Sequence, residues 1–343
     1  MAGRIVIAGA GAIGASIAYH LGKLGARDVV LADSGDVAGG ATSKAMGGVR
    51  QQFSTAPEVR LAQESIGFFE SLGPPFFLQV GYLFFATTAD GTRELEERLA
   101  FQRSLGVPVD RAELPPDVRT DDIRFAIACW QDGLADPPAV TRELVQRAQA
   151  HGVTVRERTD ARSLDRDVLV VAAGAHAAEL VDVPVRPLVR QLLETSPIAA
   201  PDDLPMLIEH ETGFHFRRRG EKIVIAMHDP VPRWVFDAVV DDSVFGDRLE
   251  RLAHRYPPAA GATVESAWAG LYDMTPDAHP IIGPAGDGVY AACGFSGHGF
   301  MQSPAVGRAV AEELLGRTPF VDLAPYRLER FAGEATFPEE VVL

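Results

Sequence analysis

Apolar residues at the start of the chain follow first a strand-like and then a helical spacing. Residues 4–8 form a nearly continuous apolar run, as in a strand buried on both faces of a parallel sheet. Between residues 13 and 24, apolar side chains recur every three or four positions, and Gly25 ends this predicted helix. Residues 28–33 again read as a buried strand. The chain therefore begins with a predicted βαβ unit.

The same periodicity predicts further helices and strands in the next part of the chain. Asp136 has the side chain of a helix N-cap, Pro137 suits the first helical position, and Gly152 ends that helix. The other elements predicted up to residue 174 are helices over 57–72 and 93–105 and strands over 82–85, 153–155 and 167–174. The last two strands are expected to rejoin the first sheet.

The second half of the chain has a different, alternating pattern. Residues 214–216 and 222–228 read as antiparallel strands. The turn predicted between them, residues 217–221, contains three arginines that are expected to face solvent. Near the end, Ser303 is predicted to cap a helix that contains Pro304.

Together these elements predict an α/β protein, α+β overall, in which one domain is inserted into another. A length of 343 residues suits two packed domains better than a single core. The first domain is Rossmann-like and nucleotide-binding, and the inserted one is built on an antiparallel sheet. The predicted bounds are 1–75, 137–187 and 268–343 for the first domain, and 76–136 and 188–267 for the second.

Composition narrows the possible environments and partners. The net charge of −15 repels phosphate backbones, so nucleic acid is not an expected partner. Two cysteines, Cys129 and Cys293, do not make a disulfide framework, which favours a cytoplasmic location. No signal peptide and no membrane span are predicted, since glycines and His20 interrupt the first apolar run. The sequence predicts no metal site.

The turn after the first strand carries the pattern of a dinucleotide-binding motif. Gly9, Gly11 and Gly14 allow a tight turn, a close approach to pyrophosphate and close helix packing. The helix N-terminus offers N–H groups to phosphate. Asp33 follows the second strand and can accept hydrogen bonds from a ribose diol. This motif predicts a dinucleotide without separating FAD from NAD.

Three further segments are rich in small residues. A loop over 39–50 lets backbone amides reach a second part of a ligand, and this suits a flavin better than NAD. The other two segments are 268–283 and 293–302. In the last one, Gly297 and Gly299 would let the backbone approach a planar ring, and a helix start lies close behind.

These four segments, in this order, resemble the FAD-dependent D-amino-acid oxidase superfamily. The sequence is most similar to its branch of sarcosine oxidase β-subunits and dimethylglycine or proline dehydrogenases. The resemblance implies that the Rossmann-like domain binds FAD and that the inserted domain binds substrate. It assigns these residues to the cofactor: Gly9, Gly11, Ala12, Ile13, Gly14, Asp33, Ser34, Ala41, Thr42, Ser43, Gly47, Gly48, Ala173, Gly174, Gly270, Gly297, Gly299, Phe300 and Met301.

The resemblance also implies a reaction, the oxidation of a small amine or amino acid to the imine by hydride transfer to flavin N5. Sarcosine, proline, glycine and D-amino acids are the substrate types. Monomeric sarcosine oxidases bind the substrate carboxylate with a Lys where this chain has Met301, so Arg50 is expected to bind it instead. His228 is a candidate to orient or deprotonate the amine. His298 is a further candidate, although a brace for the flavin loop is the favoured role for it.

Departures from the family pattern sharpen these expectations. Relatives that attach flavin covalently use a His or a Cys where this chain has Ser43-Lys44 and Gly270, so noncovalent FAD is expected. Val224 stands where oxidases have an oxygen-activating Lys, which favours a dehydrogenase that uses an electron-acceptor protein or partner subunits. The segment 156–167 is short, which leaves the adenine contacts open.

Two other interpretations remain open at this point. The chain is alternatively a flavoprotein subunit of a hetero-oligomeric dehydrogenase, inactive or mainly electron-relaying without its partners. An NAD-dependent dehydrogenase is a third possibility, since the glycine-rich turn alone fits either dinucleotide.

Overall fold

The predicted βαβ unit is present at the start of the computed structural model, which describes residues 3–333 and 338–343. Strand β1 covers Ile5–Ala8, helix α1 covers Ala12–Lys23 and strand β2 covers Val29–Ala32. The two strands are parallel and all of their residues are buried. The apolar runs therefore correspond to strands covered on both faces.

The remaining elements follow in chain order. The other helices are α2 Ala56–Leu72, α3 Ala89–Ser104, α4 Pro137–Ala150, α5 Phe245–Arg255 and α6 Gly299–Leu314. The strands of the middle region are β3 Gly48–Val49, β4 Phe77–Leu78, β5 Tyr82–Ala86, β6 Val109–Arg111, β7 Phe125–Cys129, β8 Gly133–Ala135, β9 Thr154–Arg156 and β10 Val168–Val171. The later strands are β11 Arg186–Thr195, β12 Met206–Glu209, β13 His215–Arg219, β14 Lys222–Ala226, β15 Val264–Met274, β16 Ile281–Pro284 and β17 Val289–Cys293.

A six-stranded sheet has the order β16-β17-β10-β1-β2-β9. Its strands are parallel except β16, which runs antiparallel to β17. Helix α1 packs against both α4 and α6. Gly307 permits the second contact, because a Cβ there would overlap the side chain of Ser16. The mixed α/β architecture of the prediction is confirmed.

An eight-stranded sheet has the order β15-β11-β14-β13-β12-β5-β7-β6. All of its pairs are antiparallel except β5 with β12. Side chains alternate between its two faces. Ile208 and Phe84 join the large core that includes α1, whereas Leu207 and Phe216 belong to a separate core on the opposite face. The boundary proposed at residue 268 falls within β15.

Two local predictions are wrong. Ser303 does not cap a helix, since α6 already begins at Gly299 with His298 as its N-cap residue. Pro304 has no N–H to donate to the carbonyl of Phe300 four residues earlier, and the Ser303 hydroxyl donates to that oxygen instead, at 2.9 Å. Arg217 is not in a solvated turn, because it lies within β13 and is only 8% exposed.

None of the helices that the structure describes is long and apolar enough to cross a bilayer. The cytoplasmic location stays a prediction.

Candidate active site

The glycine-rich turn is packed so closely that side chains are excluded from it. Gly9 has φ of 110°, and a Cβ there would overlap the backbone carbonyl of Ala172 at the end of β10. A Cβ at Gly14 would overlap the carbonyl oxygen of Gly9. The first turn of α1 therefore lies directly against the turn, with Ile13 buried beside it. This brings the amino end of the helix to the carboxyl ends of the parallel strands.

Asp33 ties this turn to the end of β2. Its carboxylate accepts hydrogen bonds from the backbone N–H of Ala10 at 2.6 Å and of Gly35 at 2.8 Å. Each carboxylate oxygen can accept more than one hydrogen bond, so a ribose hydroxyl can still bind there. The next residue, Ser34, is exposed.

Around the start of α1 the structure leaves a cradle of open backbone. A Cβ added at Gly40 or Gly174 would meet no atom within 4 Å, and at Gly11 it would meet only the Thr42 hydroxyl, at 3.1 Å. That hydroxyl accepts a hydrogen bond from Ala12 N. The first turn of a helix has N–H groups without intrahelical partners. These residues fit the diphosphate and ribose of a dinucleotide.

The other residues predicted around this part of the cofactor lie close by. Ala41 and Ser43 belong to a short 3-10 helix over Ala41–Lys44 and are exposed. The Ser43 hydroxyl donates to the carbonyls of Gly39 and Gly40 at 2.9 and 2.8 Å. Ala173 precedes Gly174 in the turn after β10 and is half-buried.

Close packing of the loop after residue 46 fixes the position of Arg50. A Cβ at Gly47 would overlap the carbonyl of Ala135, and one at Gly48 would overlap the hydroxyl of Tyr82. Strand β3 is antiparallel to β8. Arg50 follows β3 directly and is 1% exposed.

The Arg50 guanidinium is buried among carbonyl oxygens and aromatic rings. Nη1 donates to the carbonyl of Gln52, and Nη2 donates to the carbonyl of Val341 at 2.5 Å. The guanidinium carbon lies 4.1 Å from the centre of the Phe53 ring. Within residues 3–333 and 338–343, Arg50 forms no salt bridge, and its buried Nε has no hydrogen-bond partner. Burial is the main cause that lowers the pKa of Arg50, and nearby acidic groups oppose it.

His298 lies beside Arg50, at the start of α6. Its Nε2 is 3.5 Å from Arg50 Nη2 and 3.2 Å from the carbonyl oxygen of Val341. Burial first, and then the charge of Arg50, hold the pKa of His298 well below its usual range. The ring is therefore neutral. Nε2 lies nearer to the carbonyl than to the guanidinium, and since a carbonyl only accepts, we assign the ring proton to Nε2. Nδ1 is then an acceptor, and it has no partner within the described part of the chain.

His228 reaches the same region from the end of β14. Its side chain is half-buried, its Nε2 has no partner among the described residues, and burial lowers its pKa. A hydrogen bond with the backbone of Val342 opposes that shift. The structure thus brings Arg50 and His298 into contact, and residues 341–342 link His228 to them.

The segment 338–343 was not predicted to take part in the site, yet it contacts several of its side chains. Besides the carbonyl of Val341, the carbonyl of Leu343 accepts a hydrogen bond from the Tyr272 hydroxyl at 2.9 Å. Glu339 is 3% exposed, and its carboxylate accepts from the backbone N–H of Ser54 at 3.0 Å. Nothing in the local pattern of this segment distinguishes it from an exposed tail.

A second support of Arg50 was also missed by sequence reasoning. Asp132 is fully buried, and its carboxylate accepts from the backbone and side-chain nitrogens of Gln51 at 3.0 and 3.2 Å. It also accepts from Gln52 Nε2 at 3.1 Å. Burial raises the pKa of Asp132 to about 6. Asp132 therefore holds the backbone that follows Arg50.

Protein side chains lie against several of the glycines predicted to approach the flavin ring. A Cβ at Gly297, where φ is 94°, would overlap the ring of Tyr272. A Cβ at Gly270 would lie 2.7 Å from Cβ of Lys44, and one at Gly299 would lie 3.1 Å from Cβ of Phe295. Phe300 and Met301 are both 9% exposed in the first turn of α6. Their cofactor roles stay predictions.

Two further arginines, one buried and one half-buried, lie on the same face of the eight-stranded sheet. Arg217 in β13 and Arg190 in β11 each have a buried Nε without a partner among the residues described, and neither forms a salt bridge there. Burial lowers the pKa of both, to about 10 for Arg217. Arg190 lies over the ring of Tyr272, 5.5 Å from its centre.

The sequence profile of one protein family matches residues 4–313 of the chain, and that family is described as FAD dependent oxidoreductase (DAO). Among individual proteins, FAD-dependent oxidoreductase domain-containing protein 1 from Bos taurus is 28% identical, over 95% of this chain and 84% of its own length. The mitochondrial sarcosine dehydrogenase of Mus musculus is 23% identical over 97% of this chain, which spans 42% of that protein.

Solved structures show the same architecture. L-proline dehydrogenase from P. horikoshii superposes with a TM-score of 0.90 at 25% identity, covering 96% of this chain and 97% of that one. Glycine oxidase from Geobacillus kaustophilus gives a TM-score of 0.85 at 24% identity, covering 96% and 98%. The fold prediction is therefore confirmed at the level of whole chains.

Proposed function

The chain belongs to the FAD-dependent oxidoreductase (DAO) family, and on that premise we propose that it oxidises a small amino acid or carboxylated amine to the imine. FAD is the cofactor of this family, which corrects the NAD-dependent alternative left open by the glycine-rich turn. Sarcosine, proline, glycine and D-amino acids are the proposed substrate types. The names of the relatives support this range, since they include sarcosine dehydrogenase, glycine oxidase and L-proline dehydrogenase.

The buried guanidinium of Arg50 carries the proposal. A charge removed from water is costly unless a partner of opposite charge compensates it. Among the described residues, carbonyl oxygens are the hydrogen-bond acceptors of Arg50, and its Nε donor has no partner there. A substrate carboxylate would supply the missing negative charge and accept from two N–H groups at once. Amines without a carboxylate would gain nothing from this arrangement.

His298 and His228 are proposed to orient the amine. Because Nε2 of His298 donates to Val341, Nδ1 presents a lone pair that can accept a hydrogen bond from a substrate N–H. The lowered pKa values of both histidines make them weak bases near pH 7. Their proposed task is therefore to position an already neutral amine, so that the substrate must lose its own proton before it reacts.

The residues present fit FAD at its nucleotide half. The open backbone at Gly11, Gly40 and Gly174 would hold the diphosphate, and Asp33 would accept from the ribose. Noncovalent binding is proposed, since Gly270 has no side chain and the Ser43 hydroxyl is already bonded to backbone carbonyls. When bound, FAD accepts the hydride that the substrate loses from its α-carbon.

We further propose that the electrons pass to an acceptor protein or partner subunit and not mainly to oxygen. Val224 is fully buried in β14 and offers no charge of its own. A dehydrogenase is therefore proposed, with slow reoxidation by oxygen.

Anaerobic reduction of the bound flavin tests the proposal. The FAD-loaded protein is mixed with sarcosine, dimethylglycine, proline, glycine and D-amino acids, and in parallel with their decarboxylated counterparts such as pyrrolidine for proline. At least one amino acid should bleach the flavin absorbance faster than its decarboxylated counterpart. If no amine bleaches it, the alternative of a flavoprotein subunit that needs partners replaces the proposed activity. Reoxidation by oxygen and by an artificial acceptor then separates oxidase from dehydrogenase.

A further inference from the structure

The segment 338–343 crosses the candidate site and meets the two side chains that the proposed function depends on most. Its Val341 carbonyl accepts from Arg50 at 2.5 Å and from His298 at 3.2 Å. Val341 itself is 4% exposed. A single backbone oxygen therefore fixes the distance between the guanidinium and the imidazole.

Glu339 anchors this segment. Its carboxylate accepts from Ser54 N at 3.0 and 3.1 Å, and from the hydroxyl of Thr55 at 3.4 Å. The same carboxylate accepts from Val341 N at 3.0 Å, so that it also holds the backbone of the residue whose carbonyl contacts Arg50. Its own N–H donates to the carbonyl of Asp277 at 3.0 Å. A carboxylate that accepts several N–H bonds is a strong point of attachment.

The Val341 carbonyl uses only part of the hydrogen-bonding capacity of Arg50. A guanidinium has five N–H donors, and the two carbonyls use one each from Nη1 and Nη2. The Nε donor remains unused. These donors are the ones that a carboxylate would use, and the Val341 carbonyl keeps them in one orientation.

We infer that Glu339 is a positioning residue of the active site, which acts through the Val341 carbonyl on Arg50 and His298. The inference rests on the proposed function in that Arg50 is taken as the carboxylate-binding group. It adds a part of the chain that no motif pointed to. Glu339 does not touch the substrate; it sets the geometry of the groups that do.

The test compares Glu339→Ala with the matched control Glu340→Ala. Glu340 is the neighbouring residue, is exposed, and contributes to the segment through its backbone N–H, which donates to the Ser54 hydroxyl. Acetate is titrated into each FAD-loaded protein, and its dissociation constant is read from the shift in the visible flavin spectrum. We expect E339A to weaken acetate binding about tenfold and E340A to change it less than twofold.

Two further variants keep the test independent of folding defects. Glu339→Gln retains one acceptor oxygen and should lie between the intact protein and E339A. A chain that ends at residue 340 lacks the Val341 carbonyl and should match E339A. With a reactive amino acid, E339A should raise KM but leave kcat and FAD content nearly unchanged. KM for the decarboxylated amine should rise less, because that amine has no carboxylate for Arg50 to bind.

The results separate this inference from the proposed function. Equal acetate affinities in E339A and E340A would overturn the positioning role, and so would a failure of the intact protein to bind acetate. Tighter binding in E339A would also overturn it, because the segment would then obstruct the site. If acetate binding responds as expected while no amine reduces the flavin, the positioning role stands and the proposed activity fails.

Discussion

Arg50 Nη2 lies 3.5 Å from His298 Nε2, although 248 residues separate them in the chain. The contact joins the end of β3 to the first turn of α6, which are brought together by the packing of α6 beside β3. This pair suits the proposed substrate, because the carboxylate of an amino acid would meet the cation and its neutral amine would meet the imidazole. Single substitutions at Arg50 and at the residues around the site can measure what each side chain contributes to substrate binding, FAD binding and stability.

Replacing Arg50 by Gln should remove carboxylate recognition. Hydrogen bonds to charged groups contribute about 1.5–3 kcal/mol each. We expect kcat/KM for the best amino-acid substrate to fall about 100-fold, mostly through KM, which corresponds to about 2.7 kcal/mol. The decarboxylated counterpart serves as the control and should lose less than threefold. Equal losses for both compounds would show that Arg50 does not bind the carboxylate.

Asp132 should lower the free energy of unfolding as pH rises, which is opposite to the effect of a carboxylate whose pKa is lowered by folding. Burial raises its pKa to about 6 from 3.8, so the folded state binds a proton more tightly than the unfolded chain. The stability that this proton provides is present below pH 4 and is lost as pH rises through 6. Asp132→Asn removes the titration. The unfolding free energy of D132N relative to the intact protein should therefore increase by about 2–3 kcal/mol between pH 4 and pH 7.

Urea unfolding at a series of pH values measures this difference. The contributions of the other titrating groups to the unfolding free energy cancel in this difference, because both proteins contain these groups. If the difference in unfolding free energy between D132N and the intact protein did not change between pH 4 and pH 7, Asp132 would be ionised over that whole range. The hydrogen bonds from Gln51 and Gln52 would then compensate fully for its burial.

Asp33 should control the affinity for FAD. Asp33→Ala removes the acceptor for a ribose hydroxyl and for Ala10 N, which shapes the turn. We expect the dissociation constant of FAD to rise 10- to 100-fold, about 1.4–2.8 kcal/mol. Titration of the apoprotein with FAD, followed by quenching of flavin fluorescence, measures it. Asp36→Ala is the control, because Asp36 is exposed and pairs with Arg158 on the surface.

Gly14 and Gly67 should respond in opposite ways to alanine. Both are helical, but a Cβ at Gly14 would overlap the carbonyl of Gly9, whereas one at Gly67 would meet nothing within 4 Å. Gly14→Ala should push α1 away from the turn, lowering Tm and weakening FAD binding at least tenfold. Gly67→Ala should raise stability by about 0.5–1 kcal/mol. Calorimetry and FAD titration of the two variants give the comparison, and similar behaviour would contradict the packing described here.

Local rules were enough for much of the fold. The Asp136 side chain accepts from Ala139 N at 2.9 Å as an N-cap, and Pro137 begins α4, as the pattern predicts. The same rules failed at Ser303. Because Pro304 has no N–H, the Ser303 hydroxyl donates to the carbonyl of Phe300 within α6 and does not cap the helix. They also failed at Arg217, because three consecutive arginines look solvated when the neighbouring strands are not considered.

The parts of the site that sequence reasoning missed all depend on contacts between distant residues. Asp132 lies in a turn, and only the packing of β3 on β8 brings it to Gln51. Glu339 meets Ser54 across 285 residues. Neither residue has a neighbour in sequence that predicts burial. Arg50 was identified only because a family pattern lacked its usual cation, and not from its own surroundings.

The strand order of the six-stranded sheet also has a consequence for how the protein is made. Strand β1 pairs with β2 on one side, but its partner on the other side, β10, is synthesised much later. The two helices that pack against α1, α4 and α6, also come later in the chain. A ribosome that adds about 5–20 residues per second needs roughly 10–30 s to travel from β2 to the end of β10. During that time an apolar strand edge and helix face stay uncovered on the nascent chain. Codon choice across residues 33–167 is therefore expected to affect how much of the protein reaches the folded state.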